Sequence, residues 1–236
     1  PMLQAGLHRS DSRYSPYDAE LHTDAGLYGA KCAGRVDLER FIAEKYRQIH
    51  NAQLNEYLPL LFGVRHNTEL VGAVGMRPGL YRPMFLEQYL DLPIEQQVAA
   101  FSNQPVDRCS LVEIGNLAIA RKGHGPLLMV MMTAVLAEAG YEWMVFTVTE
   151  QVERLIGRLG FKPHYLKSAE PDRLVGDQSL WGSYYENNPR VMVGNLETAM
   201  AVIAENEKLS EWVSQQGNQI ASLADSLRDY RRLRSE

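Results

Sequence analysis

Ser110–Ala120 reads SLVEIGNLAIA, and it runs directly into Arg121-Lys122-Gly123-His124-Gly125-Pro126 and then the apolar stretch to Ala139. The first segment alternates like a strand. The second is a glycine-rich turn, and Leu127–Ala139 is an apolar helix that stops at Gly140, a good C-terminal stop. Strand, short glycine loop and helix together make an anion site, because successive backbone N–H groups at a helix start point at one place. Glycine lets that backbone come close to a phosphate. Pro126 suits the first helical turn, where its missing N–H costs nothing. Arg121 and Lys122 add positive charge. The loop is too short for a Walker P-loop and lacks the third glycine of the dinucleotide fingerprint.

Working outward, Leu38, Phe41, Ile42, Tyr46, Ile49 and Leu54 recur at helical spacing and predict a helix over 36–56, ended by Pro59. Leu60–Arg65 and Glu69–Met76 read as a hairpin about a short polar turn. Phe85–Leu90 and Ile94–Phe101 read as short helices broken at Pro93. Downstream, Trp143–Val148 is a strand, Glu150–Leu159 a helix, Phe161–Leu166 a strand, 171–188 a polar loop with aromatics, and Arg190–Gly194 a last strand. This is an α/β (α+β) plan with one central mixed sheet flanked by helices. Residues 1–34 lack a period and read as an arm or strap, 35–195 as the catalytic domain, and 196–236 as a C-terminal helical tail. That tail carries a seam at Ala199, Val202, Asn206, Leu209, Val213, Gln216, Ile220, Leu223, Leu227 and Tyr230. Its alternating steps of three and four residues suit either packing on the parent domain or a homodimer through 196–236.

The composition excludes other classes. Lys plus Arg is 24 and Asp plus Glu is 29, for a net charge of −5, and a net-acidic chain lacks the basic footprint of a nucleic-acid binder. Two cysteines, Cys32 and Cys109, build neither a disulfide scaffold nor a cysteine-rich zinc site. The six histidines are scattered, and no metal site is evident. No stretch approaches the roughly 18 apolar residues of a membrane span. The expected compartment is cytoplasmic.

Glu113 lies mid-strand, and a carboxylate there is costly unless paired or used. It is either a general base or ammonium anchor, or a structural partner of Arg77 or Arg108. Asn116 is either a hydrogen-bond donor to substrate or a plain strand residue. Arg77 suits bidentate binding of a substrate carboxylate. His124 sits inside the glycine loop as a phosphate donor or an exposed turn residue.

The strand, the R-x-G-x-G loop, the following helix, strand and helix, and the closing Leu159-Gly160-Phe161 resemble the acyl-CoA-binding half of Gcn5-related N-acetyltransferases. That resemblance implies that Gly123, His124, Gly125, Arg121 and Lys122 hold the donor's phosphates. Leu117, Ala118 and Ile119 would pair with the pantetheine arm. Ala120 stands where that superfamily has Gln or Arg, and Ile156 stands where it often has a thiolate-protonating Tyr, so acyl-carrier protein is an alternative donor to acyl-CoA. A second resemblance covers most of 36–195. The blocks FIAEKYRQIHNAQLNEYLPLLFGV, LVGAVGMRPG, PMFLEQYLD and VEIGNLAIA look like the thermostable hemolysin family. That family is similar to acyl-homoserine-lactone synthases. Those carry a Glu and, three residues on, an Arg; here these places hold Glu113 and Asn116.

Together the resemblances imply an N-acyltransferase moving a fatty acyl group from acyl-CoA or acyl-phosphopantetheine to the amine of an amino acid or similar polar metabolite, with no permanently bound cofactor. Glu113 and Asn116 would be catalytic. Arg77 would bind a carboxylate of the acceptor, and Tyr46, His50 and Asn51 would bind the acceptor because the first helix lines the acceptor pocket in such folds. The rival readings are a cytolysin acting directly on membranes, and a non-catalytic binding module whose tail recruits a partner.

Overall fold

The computed structural model describes residues 23–121 and 123–232. Its centre is a seven-stranded mixed sheet in the order β1-β2-β3-β4-β5-β7-β6. The strands are β1 (Thr23–Tyr28), β2 (Leu60–His66), β3 (Glu69–Pro78), β4 (Leu111–Ile119), β5 (Trp143–Val148), β6 (His164–Ser168) and β7 (Arg190–Asn195). Every neighbouring pair is antiparallel except β4 and β5.

Alternation along the strands gives the sheet two apolar faces. One face of β2–β5 and β7, with Phe62, Val74, Ile114, Phe146 and Met192, packs on α3 (Gly125–Glu138). That helix is apolar nearly all round, as a helix enclosed on every side must be. Around it lie α4 (Glu150–Arg158) and three C-terminal helices, α5 (Leu196–Glu205), α6 (Glu207–Gln215) and α7 (Gly217–Arg232). The opposite face carries α1 (Arg35–His50) over β2–β4, through Leu38 and Ile42. Beside it lies the segment from Met84 through α2 (Ile94–Ser102), over Leu111, Val145 and Val191.

Three expectations change. The span assigned to an arm contains β1, which pairs antiparallel with β2 and completes the sheet edge; residues 1–22 lie outside the described residues. The first helix ends at His50, not 56, because Asn51 adopts the left-handed conformation that closes it. The tail is three helices, and its seam is spent inside the chain: Ala199, Leu209, Ile220, Leu223 and Leu227 are buried in the core around α3. Asn206 is a cap rather than a register residue, its Oδ1 accepting the Leu209 N–H at 3.2 Å. The surface that suggested a homodimer is therefore occupied. Among the described residues no helix is long and apolar enough to cross a membrane.

Candidate active site

β4 and β5 pair only from Leu111–Ile114 against Trp143–Phe146. Beyond that they part, and the cause is local. β3 and β4 are in register at Gly75–Gly115 and again at Ala73–Ala118, so β4 carries one extra residue between. Such a bulge bends and twists its strand. Asn116 sits in it at φ 49°, a conformation Asn tolerates better than most. Its Oδ1 accepts the Leu58 N–H at 2.9 Å. Gly75 makes room opposite, since a Cβ there would lie 2.7 Å from that Oδ1 and 2.9 Å from Leu58 Cβ. Asn116 thus holds the bulge that opens the sheet.

The opening leads into a cavity of about 1470 Å³. Leu117, Ala118, Ile119, Arg121, Gly123 and Gly125 line it, as expected of the donor strand and loop. Gly123 has φ 102°. At Gly125 a Cβ would meet Leu155 Cδ2 at 2.7 Å and Ile119 Cδ1 at 3.0 Å, so a larger residue would have to push these side-chain ends aside. Lys122 lies outside the described residues. His124 does not line the cavity; it stands at the N-terminal cap position of α3 without a side-chain capping bond, its ring is edge-on to that of His66, and burial first, then His66 and Arg121, lower its pKa. Lys45, which the sequence reading passed over, lines the cavity and donates from Nζ to the Ala120 carbonyl at 3.2 Å. Arg158 and Lys162 add further cationic lining.

Met129, Met132, Phe146, Leu155, Ile156 and Phe161 give the cavity an apolar limb. Thr133 interrupts it: its Oγ1 is buried and has no hydrogen-bond partner among the described residues.

On the α1 side, Tyr46 and His50 line the cavity with Tyr184. The Tyr46 and Tyr184 rings stack with centroids 6.4 Å apart, and His50 meets Tyr184 edge-on at 5.3 Å. Tyr184 Oη donates to the Thr147 carbonyl at 3.5 Å, and Thr147 is the first β5 residue past the paired stretch. This aromatic group therefore stands at the split. Burial raises the Tyr46 and Tyr184 phenols and lowers the His50 imidazole. Asn51 is exposed and does not line the cavity.

Glu113 and Arg77 do not line the cavity either. Glu113 is 3% exposed. Its Oε2 accepts the Phe85 N–H at 2.9 Å and its Oε1 the Leu86 N–H at 2.8 Å, with Arg77 Nε at 3.7 Å. Burial outweighs these contacts and lifts its pKa to about 7. Arg77 also donates to the Pro83 carbonyl at 2.5 Å. Arg108, the other proposed partner of Glu113, instead binds Glu87 and Glu95. No group of three His, Cys, Asp or Glu side chains among the described residues could hold a metal ion.

The family model described as thermostable hemolysin matches residues 29–200. The chain belongs to the thermostable hemolysin family. No curated protein matches it. Among solved structures this family member is similar to FeeM, an N-acyl amino acid synthase from uncultured soil microbes, at 11% identity and a TM-score of 0.54, covering 77% of this chain and 94% of that one. It is also similar to TofI, solved in a ternary complex with an inhibitor and MTA, at 15% identity and a TM-score of 0.51, covering 79% and 99% of the two chains. The AHL synthase LasI follows at 10% identity and a TM-score of 0.49, covering 75% and 91%. At these identities the likeness to FeeM and TofI is one of fold.

Proposed function

We infer that the protein is an N-acyltransferase that moves a fatty acyl group from acyl-CoA or acyl-carrier protein to the amine of an amino acid or similar small polar metabolite. The observation that carries this reading is the single cavity that threads the β4–β5 split and joins a glycine loop, an apolar limb and an aromatic chamber. The loop, with Lys45 and Arg121 beside it, suits the phosphates that coenzyme A and phosphopantetheine share. The β4 edge beyond Ile114, released from β5, suits the amides of the pantetheine arm. The apolar limb suits the acyl chain, and the aromatic chamber the acceptor. FeeM, whose fold this chain shares, is named for the same class of product.

In this reading the amine attacks the thioester carbonyl, the C–N bond forms, the C–S bond breaks, and a thiol leaves as the amide forms. Backbone N–H groups of the released β4 edge would stabilise the oxyanion. The donor is a substrate, not a resident cofactor.

The test is purified protein with a fatty acyl-CoA or acyl-carrier protein and pooled amino acids, read by mass spectrometry. An N-acyl product is expected, and Gly123→Asp, which places a negative charge in the phosphate loop, should weaken donor binding at least tenfold. No transfer from either donor by the wild type overturns the proposal. Leakage of liposomes by the protein alone, with no donor present, would favour direct lysis.

A further inference from the structure

We propose that His50 is the general base of the acyl transfer. This rests on the acyltransferase reading and names the group that handles the acceptor's proton. The carboxylate that the sequence suggests for that task, Glu113, has both oxygens engaged by the Phe85 and Leu86 N–H groups and does not line the cavity. His50 does line it, against the ring of Tyr184, whose hydroxyl reaches the Thr147 carbonyl at the split. Its Nδ1 is buried and has no hydrogen-bond partner among the described residues. A polar atom buried without a partner costs stability, so the fold keeps this imidazole at the cavity wall at a cost.

The ring is also held in place. The His50 carbonyl accepts the Ser183 N–H at 2.8 Å and the Ser183 hydroxyl at 3.3 Å. Gly182 passes so close that a Cβ there would lie 2.0 Å from the same carbonyl oxygen. The last turn of α1 is thus clamped onto the 178–187 segment, and Tyr46 and Tyr184 wall the imidazole on two sides. The groups facing it are these two phenols, one from its own helix and one from the segment packed against it. Burial keeps both protonated and uncharged, and burial alone lowers the imidazole, so it is neutral and able to accept a proton near pH 7.

The step balances without any further reactant. The neutral amine adds to the thioester carbonyl, and the adduct nitrogen passes its proton to His50. The C–S bond then breaks, and the imidazolium returns the proton to the departing thiolate.

The experiment uses the full chain, a fatty acyl-CoA or acyl-carrier protein as donor, and O-methylhydroxylamine as acceptor, whose weakly basic nitrogen is already neutral across the pH range scanned. In the wild type kcat/KM should fall as pH drops through a midpoint below the ordinary histidine value. His50→Gln should lower kcat by about 10²–10⁴-fold with little change in donor KM, lose that acid limb, and recover part of its rate with added imidazole. A His50→Gln enzyme that turns over at the wild-type rate, or that keeps the acid limb, overturns His50 as base and leaves the acyltransferase reading standing. If His50→Gln does not fold, the wild-type profile decides, and a flat acid side overturns the proposal. A wild type that transfers no acyl group to any acceptor fails the underlying reading.

Discussion

The two halves of β4 treat buried polar groups in opposite ways. Up to Ile114 the strand is paired on both sides, and Glu113 in that half has each carboxylate oxygen bonded to a backbone N–H. The Met84–Leu90 segment it anchors is tied in turn to Arg108. That side chain is 5% exposed and reaches the Gly79 carbonyl at 2.7 Å, Glu87 at 2.6 Å and Glu95 at 2.5 Å. Past the bulge the strand is released from β5 and borders a cavity. Among the residues that line it, His50, Ser102, Thr133 and Thr147 each carry a polar atom buried with no hydrogen-bond partner among the described residues, as does Trp143 at the paired end; His124, Tyr141 and Gln219 carry such atoms away from it. Native interiors satisfy nearly all such groups. Polar groups left open along a cavity are available to a bound molecule, whereas those of a closed network are already satisfied within the protein. The carboxylate that looks catalytic in sequence is bonded into the frame in this structure.

The largest effect that could break this contrast lies in the closed network. Arg108→Leu strips the countercharge from Glu87 and Glu95. Removing one partner of a buried ion pair costs about 3–5 kcal/mol, so the thermal midpoint should fall by roughly 10 °C at 2–4 °C per kcal/mol. A change within error would show that the network is ornamental. The pH dependence gives an independent reading. Burial alone would raise the Glu87 pKa, but Arg108 and the Met84 and Ile94 N–H groups prevail and bring it from 4.5 down to about 2. A depressed folded-state pKa gives stability that is whole above the unfolded value and is lost as pH falls. Denaturant midpoints should decline between pH 4.5 and 2, and Arg108→Leu should flatten that decline.

Glu113→Ala comes next. It leaves the Phe85 and Leu86 N–H groups without their acceptor, each worth about 1–3 kcal/mol, so a loss of about 2–4 kcal/mol is expected by chemical denaturation. Here the pH sign reverses. The folded state binds the proton more tightly than the unfolded chain, with a pKa of about 7 against 4.5. Stability from this group is full below 4.5 and declines as pH rises toward 7. The variant should lose that slope. If Glu113→Ala instead keeps full stability and abolishes transfer, the carboxylate is catalytic after all and the contrast between the halves collapses.

How much of this was legible in the sequence follows the same division. Short-range patterns gave the β2–β3 hairpin, β5, the apolar α3 and the glycine loop before it, because alternation, an unbroken apolar run and turn residues are local signals. β1 is not legible in the sequence because TDAGLY has no period of its own and its partner β2 lies more than thirty residues on. The apolar spacing runs past the end of α1 because the left-handed turn at Asn51 that closes it leaves no mark in that spacing. The tail's heptad-like seam was real as a periodicity, but periodicity does not say whether the partner surface is a second copy or α3. In the site, the donor strand and loop could be read from residue order. Lys45 and Tyr184 could not, as each reaches the cavity from another part of the chain. The aromatics of the 171–188 loop were the one hint of Tyr184.

Thr133 is the smallest test and the one most specific to the contrast. It is the single polar residue in the run Pro126–Leu136, and its unpartnered hydroxyl belongs to a limb otherwise built of methionine, leucine, isoleucine and phenylalanine side chains. Thr133→Val keeps the branched shape and removes the hydroxyl. Nothing in the fold loses a bond, and relief of an unsatisfied buried group is worth up to about 1 kcal/mol. The thermal midpoint should hold or rise by roughly 2–4 °C. A fall as large as that of Glu113→Ala would mean the hydroxyl does bond within the protein, and polar groups around the cavity would then be architecture like those of the closed network. A stabilised variant would mean the protein keeps Thr133 at a cost to its own fold, the pattern expected where a residue serves a ligand rather than the structure.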